Sequence, residues 1–173
     1  MRIREAIPED FESIEELHLA AFAEEGHVVS GLARELMQDE SANPRLVLVA
    51  VSDKDVVGCV IFSSVKIIGV KEVKGFILAP LAVAPQKQRT GIGTSLIKHG
   101  FAALREVGAD VILVYGDPAY YGKFGFTAHH QVRAPFQIAH PEGWLVMYLR
   151  DRPLDFVSGK LVCADSLNRG EHW

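Results

Sequence analysis

The segment of residues 75–116 constrains the fold most, because its pattern predicts a strand, a helix and a second strand in succession. Two apolar runs of strand length, "GFILAPLAV" at 75–83 and "DVILVYG" at 110–116, flank a segment with helical periodicity at 92–107. Its apolar residues are Ile92, Leu96, Ile97, Phe101, Leu104 and Val107. Two strands joined through one helix are expected to lie side by side as a parallel pair with a right-handed crossover.

The rest of the chain predicts antiparallel strands around this pair. Residues 45–51 and 56–67 are β-rich runs that the turn "SDKD" joins into a hairpin. The other predicted elements are a strand at 2–6, helices at 11–22 and 29–37, a short helix opened by Asp117 and Pro118, a strand that contains His129 and His130, and a strand at 144–149. The predicted fold class is α+β, with a mixed, mostly antiparallel central sheet of about seven strands and about four helices, in one domain over residues 1–173.

Pro80 interrupts the predicted fourth strand, at 75–83. A proline within a central strand removes one donor from the hydrogen-bond ladder. The sheet is therefore expected to splay open there, between the fourth strand and the fifth strand at 110–116.

The composition excludes several classes of function. A formal net charge of −4 at pH 7 argues against nucleic acid as a partner, and no run approaches the roughly 20 apolar residues of a membrane span. Residues 1–20 hold six acidic side chains where a signal peptide would be basic and then apolar, so a cytoplasmic location is expected. The chain has only two cysteines, Cys59 and Cys163, which are too few for a disulfide scaffold. Their spacing is not that of a metal site, and no metal is expected.

The turn "QKQRTGIGTSL" at 86–96 places two glycines, Gly91 and Gly93, at the start of the predicted helix. The first N–H groups of a helix have no intrahelical partner and carry the positive end of its dipole, so such a turn favours an anion. The dinucleotide-binding fingerprint requires a glycine where Leu96 stands, and the Gly-Lys-Ser/Thr of a P-loop is absent. The turn alone therefore predicts either an anion site or an ordinary glycine-containing turn.

The stretch "LAVAPQKQRTGIGTSLIKHGFAAL", together with "YYGKFGF", resembles the GNAT superfamily of acyl-CoA-dependent N-acyltransferases over roughly residues 1–150. The predicted order of elements is also the order of the GNAT fold. The resemblance implies an N-acetyltransferase that uses acetyl-CoA as co-substrate. Cys59 lies within a predicted hydrophobic strand and is interpreted as a core residue, so no acyl-cysteine intermediate is expected. A primary amine, on a small molecule or a peptide, is therefore expected to attack directly in a ternary complex.

The same resemblance implies which residues bind the co-substrate. It assigns the pyrophosphate of coenzyme A to backbone N–H groups of Gln88, Arg89, Thr90, Gly91, Ile92, Gly93 and Thr94. The pantetheine arm would pair with the strand residues Leu81, Ala82 and Val83, with the N–H of Leu81 donating to the thioester oxygen. Tyr121 matches the tyrosine of the family element Tyr-x-x-x-Gly-Phe, and is implied as the general acid at the thiol.

Two features leave the implied chemistry open. Many family members carry an asparagine at the end of the strand before this tyrosine, and here the segment reads "VYGDP". Candidates for the general base are Glu24, Glu25 and His27 in the expected loop between the first two helices, acting directly or through water.

Three functions are compatible with these patterns: an N-acetyltransferase, a non-catalytic acyl-CoA-binding sensor or interaction domain, and a nucleotide-phosphate binder. The failed fingerprints disfavour the third. Residues 151–173 form an extension for which we consider three roles, namely an added strand, a cover over the acceptor site and a contact in a homodimer.

Overall fold

The computed structural model describes residues 1–150 and 157–173, which form an eight-stranded sheet and four α-helices. The strands are β1 (Arg2–Glu5), β2 (Arg45–Ser52), β3 (Asp55–Ile67), β4 (Gly75–Val83), β5 (Val111–Tyr115), β6 (Gln131–Arg133), β7 (Trp144–Tyr148) and β8 (Ser158–Val162). The helices are α1 (Phe11–Ala21), α2 (Gly26–Gln38), α3 (Ile92–Glu106) and α4 (Pro118–Tyr121). The first part of the predicted C-terminal extension, 151–156, lies outside the described residues.

The sheet has the strand order β1-β2-β3-β4-β5-β7, and β8 pairs with both β3 and β6. The β4–β5 and β6–β8 pairs are parallel and the other pairs are antiparallel. The predicted α+β class, the mostly antiparallel mixed sheet and the parallel pair across α3 are confirmed. The sheet contains one strand more than the predicted number, because the sequence "SGKLV" of β8 has little of the alternation that identifies a strand.

Helix α2 begins earlier than the periodicity predicts, at Gly26 instead of residue 29. A Cβ atom on Gly26 would overlap the carbonyl oxygen of Leu19, so the start of α2 lies directly against α1. Helix α3 runs from Ile92 to Glu106, close to its predicted bounds. None of the helices in residues 1–150 and 157–173 has the length and apolar character needed to cross a bilayer.

The sheet has an apolar core on each face. Helices α1 and α2 contribute Ile14 and Leu36 to one core, and α3 contributes Leu96 and Phe101 to the other. Gly100 allows the ring of Phe62 to lie flush against α3, because a Cβ at this position would overlap the ring. Burial of each large apolar side chain contributes roughly 1.5–3 kcal/mol, and both cores therefore hold the central strands in fixed positions.

The parallel strands β4 and β5 separate after a short paired stretch. Their register pairs Gly75, Phe76 and Ile77 with Val111, Ile112 and Leu113, and no pairing follows within the described residues. Against β3, the two residues Ala79 and Pro80 face the single residue Ile61, which is a β-bulge. The predicted splay between the fourth and fifth strands is confirmed, and the bulge bends β4 away from β5 at Pro80.

The described part of the C-terminal extension is held by polar contacts to the loop after α2. The Oδ2 atom of Asp39 accepts hydrogen bonds from the backbone N–H and the hydroxyl of Ser166, at 2.9 and 2.6 Å. Oδ1 of Asp39 accepts from the backbone N–H and hydroxyl of Ser41. Burial opposes ionisation of this carboxyl, but the four hydrogen bonds outweigh it and lower its pKa to about 2. An ionised Asp39 therefore fastens the extension to the body of the fold.

Candidate active site

The gap between β4 and β5 opens into a cavity of about 580 Å³. Residues 78–81 of β4 and Tyr115 of β5 line it on the side of the sheet. The start of α2 and the turn that ends the chain line the opposite side. This volume falls within the roughly 300–1,000 Å³ of small-molecule sites in proteins.

Tyr121 lies in this cavity, at the end of α4. Helix α4 begins at Pro118, and the preceding Asp117 caps it, since its carboxylate accepts a hydrogen bond from the N–H of Ala119 at 2.8 Å. The ring of Tyr121 covers Gly116, where a Cβ would lie 2.5 Å from Cε2 of the tyrosine. Burial raises the pKa of Tyr121 above its usual value, and the neighbouring Tyr120 and Asp117 raise it further. The phenol is therefore protonated throughout the neutral range and can donate a proton.

A second cavity, of about 440 Å³, lies at the start of α3. It is lined by the side chains or backbone of Leu81, Val83, Lys87, Gln88, Arg89, Gly91, Ile92, Gly93, Thr94 and Tyr120. The first helical bond to this turn runs from the N–H of Ser95 to the carbonyl of Gly91, at 2.9 Å. The six preceding N–H groups, of residues 89–94, have no hydrogen-bond acceptor among the described residues. We call this row of donors the N–H cradle.

The two glycines of the cradle serve different purposes. Gly91 has a φ of 90°, in the left-handed region that other residues adopt at a cost, and it forms the N-cap of α3. A Cβ on Gly93 would lie 2.8 Å from the hydroxyl oxygen of Tyr120, so a side chain there would fill the cradle. The hydroxyl of Thr90 donates to the carbonyl of Lys87 at 2.5 Å and stabilises the turn.

The main chain of β4 presents unpaired groups to the gap. Successive residues of a strand direct their N–H and C=O groups to opposite sides, and the N–H of Ala84 bonds the carbonyl of Val57 in β3. By this alternation the main-chain N–H and C=O groups of Ala82 pair with β3. Those of Leu81 and Val83 face the gap, where β5 no longer pairs with β4. The carbonyl of Val83 accepts a hydrogen bond from Nε2 of Gln88 at 3.2 Å.

Tyr120, which the sequence alone favours as a packing residue or part of the substrate wall, lines the cavity of the N–H cradle. Its hydroxyl hydrogen-bonds the side chain of Thr94 above the cradle, and its ring meets that of Tyr121 edge to face at 5.1 Å between centroids. Burial raises the pKa of Tyr120, and the Thr94 hydrogen bond partly offsets this. The doubled tyrosine in "AYYGKF" was the available signal, since consecutive residues of a short helix can face two adjacent cavities.

The predicted base candidates occupy different environments. All three side chains are exposed, but only Glu25, at the N-cap position of α2, lines the 580 Å³ cavity; Glu24 and His27 do not. Glu24 and Glu25 lie in the connection between α1 and α2, as expected, and this connection forms a 3-10 turn at Ala23–Glu25.

The end of the chain supplies cavity residues that the sequence did not identify. Glu171, His172 and Trp173 line the 580 Å³ cavity opposite β4. An ion pair between Arg169 and Glu35 of α2 anchors this turn. Its sequence separation from β4 and its lack of periodicity left no local signal for its position. We refer to Glu171, His172 and Trp173 as the C-terminal turn.

His172 is the most buried polar residue of the C-terminal turn, with 4% of its side chain exposed. Its Nε2 lies 3.6 Å from a carboxylate oxygen of Glu171 and has no hydrogen-bond partner among the described residues. Burial lowers the pKa of His172 below its usual value, although Glu171 opposes this effect. The imidazole is therefore neutral at neutral pH. Residues 1–150 and 157–173 contain no group of three or more His, Cys, Asp or Glu side chains arranged to hold a metal ion.

Comparisons with known proteins agree with this geometry. A family model described as an acetyltransferase (GNAT) domain matches residues 2–128. The uncharacterized N-acetyltransferase YhbS of Escherichia coli K12 is 33% identical over 172 residues, which cover 98% of this chain and 99% of YhbS. The crystal structure of E. coli YhbS in complex with CoA aligns at 32% identity with a TM-score of 0.88, over 98% of this chain and 92% of that one.

Two further structures extend the comparison. A GNAT family acetyltransferase from Brucella melitensis in complex with acetyl-CoA is 29% identical, with a TM-score of 0.78, over 96% of this chain and 97% of that one. An aminoglycoside 6'-acetyltransferase type Ii is 22% identical, with a TM-score of 0.64, over 88% of this chain and 100% of that one, and shares the fold. The resemblance to GNAT proteins is thus confirmed in sequence and in structure, and this chain belongs to the GNAT acetyltransferase family.

Proposed function

We propose that this chain transfers an acetyl group from acetyl-CoA to a primary amine by direct attack in a ternary complex. The observation that carries the proposal is the position of Leu81, which lines both the cavity of the N–H cradle and the cavity that holds Tyr121. A co-substrate with an anionic end and a reactive thioester end requires two such sites in continuity. The relatives solved with CoA and with acetyl-CoA support this choice of co-substrate.

The N–H cradle is suited to the pyrophosphate. Six unpaired donors at the positive end of α3 provide charge-assisted hydrogen bonds, each worth roughly 1.5–3 kcal/mol. The pantetheine arm would pair with the unpaired main-chain groups of Leu81 and Val83. In that pairing the side chain of Gln88 leaves the carbonyl of Val83, which then accepts a hydrogen bond from a pantetheine amide.

The transfer requires three steps in the 580 Å³ cavity: the amine must be deprotonated, the negative charge on the carbonyl oxygen must be stabilised, and the leaving sulfur must be protonated. Acetyl-CoA supplies the activated acetyl group as a thioester. The neutral amine nitrogen bonds to the carbonyl carbon while the N–H of Leu81 donates to the oxygen that gains negative charge. As the carbon–sulfur bond breaks, Tyr121 donates its phenolic proton to the sulfur. The nitrogen loses one further proton to solvent as the amide forms, and solvent reprotonates the tyrosine.

The amine must also lose a proton, and we propose Glu25 as the group that accepts it. Glu25 lines the cavity and Glu24 does not, so Glu25 can receive the proton directly or through one water molecule. An amine with a pKa of about 10 is almost wholly protonated at neutral pH, and removal of this proton is a precondition for attack.

A second candidate function is non-catalytic binding of acyl-CoA. The observation that favours it is the end of β5, where Gly116 and Asp117 follow Tyr115 and no asparagine is present. Asp117 is not available to take the role of this asparagine, since its carboxylate already caps α4. A binding domain would retain the N–H cradle and lack turnover.

Calorimetric titration and a thiol-release assay together test the proposal. We expect acetyl-CoA to bind and ATP not to bind, because ATP lacks the pantetheine arm that pairs with β4. We expect free thiol to form from acetyl-CoA only when an amine is added. Binding without thiol release for any amine would favour the sensor function, and the absence of acetyl-CoA binding would contradict both functions.

A further inference from the structure

The wall of the 580 Å³ cavity contains few polar side chains. Beyond the part next to Leu81 and Tyr121, it is mainly apolar and is formed by Phe22, Val28, Val29, Leu32, Leu167 and Trp173. Two of its polar groups are already engaged. The indole N–H of Trp173 donates to the carbonyl of Leu167 at 3.0 Å, and the hydroxyl of Tyr115 accepts from the N–H of His140 at 3.1 Å. The wall contains no Ser, Thr, Asn or Gln side chain among the described residues.

The charges of the wall have a single sign. Glu25 and Glu171 line the cavity, and no lysine or arginine of the described residues does so. Arg169, which lies near the C-terminal turn, is paired with Glu35, and its other nitrogen is 3.9 Å from Glu171. A carboxylate on an acceptor would therefore meet carboxylates and find no cation, whereas an ammonium group would be attracted.

His172 supplies one polar atom that a ligand can satisfy. Its Nε2 is buried and has no hydrogen-bond partner among the described residues, although the side chain lines the cavity. A buried polar atom without a partner costs roughly 1–3 kcal/mol, which a hydrogen bond from a bound amine would recover.

We propose that the acceptor is a primary amine on an apolar body, with neither a carboxylate nor a set of hydroxyl groups. Its nitrogen is bound among Glu25, Glu171 and His172, and its body packs against the apolar wall. This inference rests on the proposed acetyltransferase activity and specifies the acceptor. A polyhydroxylated amine such as an aminoglycoside would lose its hydrogen bonds with water and find no replacement in this wall.

A matched set of acceptors tests the proposal by kcat/KM in the thiol-release assay. The set contains 2-phenylethylamine, phenylalanine, phenylalanine amide, spermidine and kanamycin. We expect 2-phenylethylamine to exceed phenylalanine, spermidine and kanamycin by at least about tenfold. The carboxylate of phenylalanine, the hydroxyls of kanamycin and the ammonium groups of spermidine that extend past Glu25 and Glu171 onto the apolar wall would be buried without partners. Phenylalanine amide, which lacks the carboxylate charge, is expected within about tenfold of 2-phenylethylamine.

Each outcome of this assay decides something. Equal or better turnover of phenylalanine, spermidine or kanamycin would overturn the acceptor proposal and leave the acetyltransferase activity intact. Thiol release with no amine at all, in a protein that binds acetyl-CoA, would contradict the acetyltransferase activity, and the acceptor proposal would fail with it.

A variant of the wall provides an independent test. Val28 lines the cavity with 41% of its surface exposed, so Val28→Lys is compatible with folding and adds a cation to the wall. We expect the ratio of kcat/KM for 2-phenylethylamine over phenylalanine to fall at least tenfold, with the Kd for acetyl-CoA unchanged. Val107→Lys, at a residue that is 55% exposed at the end of α3 and outside the cavity, is the matched control and should preserve the ratio. An unchanged ratio in Val28→Lys would overturn the proposed wall.

Discussion

Replacement of Tyr121 by phenylalanine separates its chemical role from its structural role. The ring packs on Gly116 and meets Tyr120 and Phe126 edge to face, at centroid distances of 5.1 and 5.7 Å, and a phenylalanine ring would keep these contacts. The substitution removes only the hydroxyl of a residue that lines the cavity, and it adds no atom that the surroundings must accommodate. We therefore expect the free energy of unfolding to change by less than about 0.5 kcal/mol, and Tm by less than about 2 °C.

The kinetic effect of Tyr121→Phe should be large by comparison. Loss of a general acid lowers the rate of the chemical step by about 10²–10⁴-fold, so we expect kcat to fall by this factor while the Kd for acetyl-CoA stays within about twofold. Because burial raises the pKa of this phenol above 10, the wild-type rate should show no loss from its ionisation up to pH 10. The assay is steady-state thiol release at saturating acetyl-CoA, with calorimetry for the Kd and thermal melting for Tm.

Tyr120→Phe is the matched comparison, since it removes a hydroxyl that contacts Thr94 above the cradle. It should weaken acetyl-CoA binding and change kcat at saturation by less than about threefold. Wild-type kcat in Tyr121→Phe would refute the assignment of the acid, and equal kcat losses in the two variants would refute the division of roles between them.

Three further predictions concern the cradle, the base and the C-terminal extension. Gly93→Val should weaken acetyl-CoA binding at least tenfold by calorimetry, because the valine side chain would fill the cradle next to Tyr120. The control Gly31→Ala, with open space around the residue, should bind acetyl-CoA like the wild type. Wild-type affinity in Gly93→Val would contradict the cradle as the phosphate site. Glu25→Gln should lower kcat about 100-fold and Glu24→Gln less than twofold, and the reverse order would assign the base to Glu24. Asp39→Asn should lower the free energy of unfolding by about 2 kcal/mol at pH 7, measured by urea denaturation, because it loses the charge that Ser41 and Ser166 stabilise. The pKa of Asp39 falls from 3.8 to about 2 on folding, so this stability is present above about pH 4 and disappears as the pH approaches 2, where variant and wild type should converge; a difference that persists at pH 2 would refute the charge as its cause.

The fold was predictable where structure and sequence periodicity coincide. Strand β4, the glycine turn, α3 and β5 are contiguous, and each follows a pattern of apolar residues that fixes its type and its neighbour. Pro80 indicated the position of the splay because a proline removes a hydrogen-bond donor from the strand at its own position. The predicted start of α2 was three residues late. Gly26 belongs to the helix because its backbone packs against Leu19 of α1, and the periodicity of apolar residues does not reveal such a contact.

The candidate site was predictable only on the side of the co-substrate. Gly91, Gly93 and Tyr121 stand in motifs with fixed local spacing, so their neighbourhood follows from the chain itself. The C-terminal turn reaches the cavity through contacts between Arg169 and Glu35, 134 positions apart in sequence. Such a long-range contact leaves no periodic signal in either segment, so the acceptor side required the three-dimensional structure.

The central claim is the transfer of an acetyl group to an amine, and mass spectrometry of the acceptor tests it most directly. The protein is incubated with acetyl-CoA and 2-phenylethylamine, and the amine is analysed beside reactions that contain Tyr121→Phe or no protein. We predict that the amine gains the mass of one acetyl group, in step with thiol release, and that Tyr121→Phe forms this product at least about 100-fold more slowly. Thiol release without any acetylated amine, across the full set of acceptors, would contradict the account.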